Sequence, residues 1–408
     1  MKKYMTFLML TCFTYPAFAD MYKALEDVYR TNPEILAGRE KVSQTQADVD
    51  LSRTGWQPAI GATAGISRAK TKVNGLHFED TYTQKEYGIT LTQNIFKGFS
   101  TSAQIDAAKS ILKAEEANLY ATEQNVFLSA INAYIDVLNA KEVLKLNKNN
   151  EKVLNEYYDL YVEKEKVGVL TKTDVAQAKA RLEGAKYRVI DAKAKYDNAL
   201  ESFRRIYGKV EDNYQPIDLK NYENLFPKDI DDATKQALKN HPAILAANAM
   251  YQAADENVAV ARQTLMPSVD IKASALKYDD VPIANEMTDS RIGIYLTVPL
   301  YDQGATFAKT KKAKAEKSQV QVMMTQTERV VLEKLHQAWN LHQAQIFAIR
   351  SAEARVSASK LALSGVRDEQ QRGRRTVLDV LNAEQELLDS QVMLTQAKHA
   401  KISAFFAV

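Results

Sequence analysis

The chain has 408 residues, with 54 Lys and Arg against 51 Asp and Glu and a formal net charge of +3. That balance is spread through mixed-sign segments and supplies no basic field for nucleic acid. The single cysteine, Cys12, sits in the N-terminal apolar run, so nothing downstream can form a disulfide or a cysteine metal site. The five histidines, at 77, 241, 336, 342 and 399, make no short ligand motif, and no nucleophile–base pair or glycine-rich phosphate loop appears. The composition points to no enzyme, no cofactor and no metal.

In chain order, residues 1–19 read as a secretory signal. Lys2 and Lys3 precede an apolar run from Tyr4 to Phe13, and Ala17-Phe18-Ala19 forms an A-x-A cleavage site. Met9-Leu10-Thr11 lacks the Gly or Ala wanted before a lipid-modified cysteine, which argues against acylation of Cys12. Beyond residue 19 no stretch approaches the ~20 apolar residues of a membrane-spanning helix, so membrane insertion would have to use strands.

The rest is written twice, over 22–206 and 228–407. Asn32-Pro33-Glu34-Ile35-Leu36 returns 209 positions later as His241-Pro242-Ala243-Ile244-Leu245, and Pro58 and Pro267 keep that offset. Gly88-Ile89-Thr90-Leu91-Thr92 and Gly293-Ile294-Tyr295-Leu296-Thr297 are 205 apart, as are Gly168 and Gly373. The expected organisation is a first repeat over 20–207, a linker over 208–228 and a second repeat over 229–408. Each repeat reads as helix, strand, strand, very long helix, glycine turn, helix.

The first helix spans about 22–55, with Leu25, Val28, Ile35 and Val42 at helical spacing, and ends at Gly55 and Pro58. Residues 59–71 alternate, with Ile60, Ala62, Ala64 and Ile66 on one face. After a polar loop at 72–82, a second alternating run groups Tyr87, Ile89, Leu91 and Ile95. From Ser100 to Lys166 there is no Gly or Pro, which predicts a helix roughly 100 Å long. Ile105, Leu112, Leu119 and Val126 recur every seven residues, and Ala130, Val137 and Leu144 form a second track, the spacing of coiled-coil packing. Gly168 turns the chain, and Thr171 or Thr173 caps a helix running to Tyr207. The second repeat predicts a helix at 229–264, strands at 268–277 and 290–300, a long helix at 305–371, and a helix from Thr376 to Phe405. The loop between those strands holds Asp279, Asp280, Pro282 and Asp289.

In each repeat the two shorter helices together match the long one in length, so they can flank it end to end as a rod. Four strands cannot close a barrel in lipid, where open edges leave unpaired backbone groups and single-chain barrels have at least ~8 strands. Several chains must share a barrel, and three would supply twelve strands. The expected fold is an all-α coiled-coil α-barrel with a small membrane β-barrel portion, internally duplicated and trimeric, with four β-strands per chain.

Several segments carry a family resemblance: N-P-E-I-L and H-P-A-I-L, G-I-T-L-T-Q-N-I-F-K-G at 88–98, V-P-L-Y-D-Q-G at 298–304, and G-R-R-T-V-L-D-V-L-N-A at 373–383. On these the chain resembles the TolC-like outer membrane factors over essentially its whole mature length. The resemblance implies a homotrimeric channel-tunnel in the outer membrane of a Gram-negative bacterium, in contact with outer-membrane lipid and with its α-barrel in the periplasm. It also implies docking to a periplasmic adaptor (a membrane fusion protein) and an inner-membrane pump of ABC, RND or MFS type. The implied function is the exit duct of an efflux pump, a type I secretion system, or both. An outlet dedicated to type I protein secretion is the alternative within the family. A periplasmic coiled-coil adaptor is the alternative outside it, and it leaves the paired strands unexplained.

The resemblance also implies site residues. Asp379 matches an acidic ring at the periplasmic mouth, where three-fold approach would raise the carboxyl pKa. The other reading makes Asp379 a helix N-terminal carboxylate favoured by the dipole. A second ring falls on Asn382, a departure from the pattern. Arg375 matches an arginine that ties the second hairpin to an aspartate of the first, here Asp159. A tyrosine tie falls on Gln370, and Arg372 and Arg374 crowd the same turn with positive charge. Val167, Gly168, Val169 and Leu170 of the first tip, with Gly373 and Arg374 of the second, match the adaptor-docking tips. Trp339 is expected to pack. Tyr82, Tyr87, Phe96, Phe99, Tyr278 and Tyr301 are expected at the membrane interfaces.

Overall fold

The computed structural model describes residues 18–73, 78–210, 214–281 and 284–408. Most of the signal segment, His77 and Pro282 lie outside these residues. The first repeat runs α1 (Phe18–Thr31), α2 (Pro33–Arg53), β1 (Ala59–Val73), β2 (Phe78–Lys97), α3 (Ser100–Lys166) and α4 (Lys172–Tyr207). The second runs α5 (Ile230–Asn240), α6 (Pro242–Arg262), β3 (Ser268–Val281), β4 (Ala284–Thr297), α7 (Ala305–Gln371) and α8 (Val377–Ala407). Both long helices have 67 residues, as the absence of Gly and Pro in the first predicts. Among the described residues no helix is long and apolar enough to cross a membrane.

Two expectations about the first helices change. The segments at 22–55 and 229–264 are not continuous but break at Asn32 and His241. A proline has no N–H and clashes with the preceding turn, so it fits only at a helix start. The residue before it then caps the new helix. Asn32 Oδ1 accepts from the Glu34 N–H at 2.9 Å, and His241 Nδ1 accepts from the Ala243 N–H at 3.2 Å.

The chain forms two compact units, each drawing on both repeats. The unit made of 39–119 and 240–329 contains a four-stranded antiparallel sheet in the order β1-β2-β3-β4. The strands are longer than alternation alone indicated. The segments expected as loops at 72–82 and 278–289 are largely ladder, held in the second hairpin by Lys277 to Glu286 at 3.2 Å. In contrast β4 stops at Thr297, short of the expected residue 300, because Pro299 cannot donate to a ladder.

Register sorts the side chains onto two faces. Ile60, Leu91, Ala273 and Ile292 form one cross-strand row, and Gly61, Thr90, Ser274 and Arg291 form the adjacent row on the other face. The first face continues through Ile66, Ile89, Ile294 and Leu296, all exposed, with Ile271 half-buried among them; Ile292 is exposed by 82%. The opposite face carries Lys272, Asp270, Glu86 and Tyr295. A bulge between Asn94 and Phe96 moves Ile95 out of the row expected for it, and Phe96 joins Val269 and Leu296 on the apolar face instead. By the same register Tyr82 and Tyr278 belong to the polar face, not to an apolar girdle.

In this unit the buried stripe of α3 is Ala103, Ala107, Ser110, Ala114 and Ala117, while Ile105, Leu112 and Leu119 are only half-buried. The stripe alternates steps of four and three, so the coiled-coil spacing stands but belongs to small side chains. Small residues allow close helix approach and leave the larger ones on the flanks.

The unit made of residues up to 38, 120–239 and 330–408 holds the aromatic core. Val28 and Ile35 of the first helices pack with Val126, Tyr134 and Val137 of α3 and Phe203 and Tyr207 of α4. The 208–228 segment belongs to this core. Tyr214 is buried there, and the Tyr134 hydroxyl donates to Gln215 O at 2.9 Å while accepting from its N–H at 2.7 Å. Phe226 stacks between Trp339 at 5.5 Å and Phe405 at 4.8 Å, so Trp339 packs as expected.

Candidate functional site

The two glycine turns lie in this second unit, and their backbones are alike. Gly168 has φ +76 and Gly373 φ +75, values that L side chains rarely adopt. Each glycine ends its long helix in the same two-bond pattern. The Gly168 and Val169 N–H groups donate to Glu165 O and Lys164 O, and those of Gly373 and Arg374 to Gln370 O and Glu369 O. Each turn then opens the next helix with a capping box. The Asp174 carboxylate accepts from the Thr171 N–H at 3.0 Å and its hydroxyl at 2.7 Å. The Asp379 carboxylate does the same for Thr376, at 2.9 and 2.8 Å.

Asp379 is therefore the third residue of α8 and serves as its capping carboxylate. The Thr376 backbone and hydroxyl bonds, with Arg375 nearby, hold its pKa below the usual carboxylate value. Within the chain the shift is thus downward, as the reading of Asp379 as a helix N-terminal carboxylate expects. Asn382 accepts from Arg181 Nη2 at 2.7 Å, tying α8 to α4. Arg375 donates from Nε to Glu369 Oε2 at 2.9 Å across its own turn, and Asp159 accepts from Asn155 at 3.0 Å. The structure does not bring Arg375 and Asp159 together within the chain. Gln370 contributes its backbone carbonyl to the Gly373 turn. Val167 and Val169 are strongly exposed at the first tip, as are Gly373 and Arg374 at the second. Leu170, expected at the exposed tip, is instead half-buried against Tyr161, Leu182 and their neighbours.

The strongest side-chain node here was not anticipated. Glu384 of α8 is buried, with 7% of its side chain exposed. It accepts from the Tyr157 hydroxyl of α3 at 2.8 Å and from Arg367 of α7. Arg367 also lies over the Tyr157 ring at 5.6 Å from its centroid. One carboxylate thus joins the first hairpin to both helices of the second. Burial, with the neighbouring Glu384 charge adding, pushes the Tyr161 hydroxyl up to about 12 and shifts Tyr157 the same way. The node borders a cleft of ≈ 340 Å³ whose lining includes Asn150 of α3, Ser364 of α7 and Leu388 of α8. A sequence signal existed. Glu384 occupies the apolar stripe that runs Val377, Leu381, Leu388 along α8, where a carboxylate needs buried partners.

Both the sequence and the fold recur in known proteins. The outer membrane efflux protein family model matches residues 24–209 and 233–407. The outer membrane efflux protein BepC of Brucella suis is 30% identical over 388 residues, covering 94% of this chain and 83% of BepC. The outer membrane protein TolC of Vibrio cholerae is 24% identical, covering 93% of this chain and 87% of TolC. Among solved structures, the Campylobacter jejuni CmeC outer membrane channel superposes with a TM-score of 0.84 at 20% identity, covering 98% of this chain and 88% of CmeC. With both repeats matched at once, the chain belongs to the outer membrane efflux protein family.

Proposed function

We propose that this protein is one subunit of a homotrimeric channel-tunnel, the passive outer-membrane exit duct of an efflux or type I secretion machine. The observation that carries the reading is the four-stranded sheet with one exposed apolar face and β1 and β4 at its edges. Open edges are untenable in hydrocarbon, and twelve strands from three copies close a barrel of ordinary size. On this reading residues 1–19 are removed on export. The hairpin tips with exposed Val167 and Val169 face the periplasm and receive an adaptor, which links the duct to an inner-membrane pump.

The gate in this reading has two layers. Within each subunit the Glu384 node holds the first hairpin to the second. Between subunits, on this reading, Arg375 and Asp159, which make only local contacts within the chain, pair with one another, and Asp379 lines the mouth. The missing second acidic ring, at Asn382, weakens attraction for cations.

Subunit count is the first test. Protein extracted from outer membranes in detergent should give a trimer mass by light scattering, and a monomer in mild detergent removes the channel reading. A deletion strain should gain susceptibility to drugs and bile salts, lose a secreted protein, or both. The pattern of loss separates efflux from dedicated protein secretion.

A further inference from the structure

At the passage from sheet to helix, the two repeats share a backbone and differ in charge. In the second repeat a cleft of ≈ 460 Å³ lies between α6 and the start of α7. Three cations, Arg262, Lys311 and Lys314, line it with the hydroxyls of Thr306 and Thr310, and the Phe307 ring stands beside them 78% exposed. Among the described residues none of the three cations makes an ion pair. No carboxylate of the described residues lines the cleft, and three acids of the flanking segments are committed elsewhere. Asp302 caps α7 through Thr306, Glu316 pairs with Lys312, and Asp255 pairs with Lys317.

The equivalent positions of the first repeat are Arg53, Ser102, Asp106 and Lys109. There Lys109 is paired with Asp106 and Arg53 with Asp50, each at 2.9 Å. In the second repeat Lys311 stands for Asp106 and Ala259 for Asp50, so both internal acids are gone. Three like charges in one cleft repel one another unless an anion sits among them. An exposed aromatic ring beside cations, just past the ends of strands with an apolar face, is the composition favoured at a lipid headgroup boundary.

We propose that this cleft binds the phosphate of an anionic phospholipid at the helix-side boundary of the membrane. Arg262, Lys311 and Lys314 hold the phosphate, and Phe307 enters the acyl region. The proposal rests on the reading that the sheet lies in a membrane. The cations of the first repeat, already neutralised, bind no such lipid, so a trimer carries three sites and not six.

The test is native mass spectrometry of the purified trimer mixed with dimyristoyl phosphatidylglycerol or dimyristoyl phosphatidylcholine. Wild type should retain the anionic lipid in preference by about a hundredfold, each of the three basic residues contributing roughly a factor of five near an anionic surface. That preference should vanish in the triple variant Arg262→Gln, Lys311→Gln, Lys314→Gln. A second variant, Ala259→Asp with Lys311→Asp, rebuilds the i, i+3 pairs of the first repeat while keeping Arg262 and Lys314, and should lose the preference equally. Equal retention of phosphatidylglycerol by wild type and both variants overturns the site. So does protection of the cleft by inorganic phosphate without any lipid preference, which would make it a site for soluble anions. Because the trimer is weighed in the same spectrum, a wild-type trimer that shows no preference for the anionic lipid rejects this inference alone, and loss of the trimer from wild type rejects the channel reading.

Discussion

The hairpin α3–α4 and the hairpin α7–α8 turn on glycines with nearly the same φ and close on Thr–Asp boxes of matching geometry. Their side chains do opposite things. At the place of Arg367 the first hairpin has Val162, and at the place of Glu384 it has Lys179. Conversely, the first hairpin offers Tyr157 and Tyr161 where the second has Ala362 and Val366. One hairpin supplies a buried ion pair and the other supplies the aromatic hydroxyl that completes it. Duplication therefore preserved the backbone hydrogen bonds that make a turn, while divergence made the two turns complementary. The strand–helix junctions diverged in the same way, one neutralised internally and one left cationic.

The comparison breaks most sharply at Arg367. Arg367→Met leaves the Glu384 carboxylate buried without a cation. The cost should be roughly 2–3 kcal/mol, below that of a fully buried pair because Arg367 keeps 43% of its side chain exposed. Urea unfolding of the detergent-solubilised protein measures this, and adding Glu384→Leu to the same chain should recover most of it. If the single variant is as stable as wild type, the node contributes nothing. The contribution of the first hairpin comes next. Tyr157→Phe removes one bond to a carboxylate that retains Arg367, and should cost about 1–2 kcal/mol by the same measurement.

The shared part of the two turns predicts equality. Thr171→Ala and Thr376→Ala should each cost about 1 kcal/mol, the usual worth of a cap. A difference of more than about 1 kcal/mol between them would show that one box carries a load beyond capping. The tyrosines predict an asymmetry with pH. Burial raises the Tyr161 pKa from its usual 10.0 to about 12, so above pH 10 the unfolded chain loses this proton first. Stability from this group is thus complete below pH 10 and is lost as pH climbs towards 12. Tyr161→Phe should flatten the alkaline limb of the stability profile, whereas Val366→Ala in the second hairpin should leave its slope alone.

The smallest expected effect is at Arg375. Its pair with Glu369 is exposed on both sides and screened by solvent, so Arg375→Ala should leave the unfolding midpoint where it is. Planar-bilayer conductance of the same variant then isolates its role between subunits. A conductance rise without loss of stability supports the latch, and unchanged conductance removes Arg375 from it.

Much of this was legible because it is local. Gly168 and Gly373 announce turns, Thr171 and Thr376 announce caps, and unbroken runs at 100–166 and 305–371 announce the long helices. These features depend on neighbours within one or two turns of chain. Asn32-Pro33 and His241-Pro242 were equally local, yet the surrounding helical pattern masked the break that proline imposes. Other features needed the third dimension. The bulge that exchanges Ile95 for Phe96 depends on β3 as the partner of β2. The half-burial of Leu170 depends on Tyr161 and Leu182 meeting over the turn.

The sequence by itself determined the duplicated order of elements, the length of the two long helices, the alternation of the strands and the membership of the outer membrane efflux protein family. These follow from propensity, periodicity and turn chemistry, which act along the chain. Only the tertiary structure decided which charges are spent and which are free. Glu384 is neutralised by Arg367 and bonded by Tyr157, residues 17 and 227 positions away. Arg53 and Lys109 find carboxylates within one helical turn, whereas Arg262, Lys311 and Lys314 converge on a cleft with none left to take. Electrostatic partnership is set by distance in space, and distance in space is what a linear pattern does not contain.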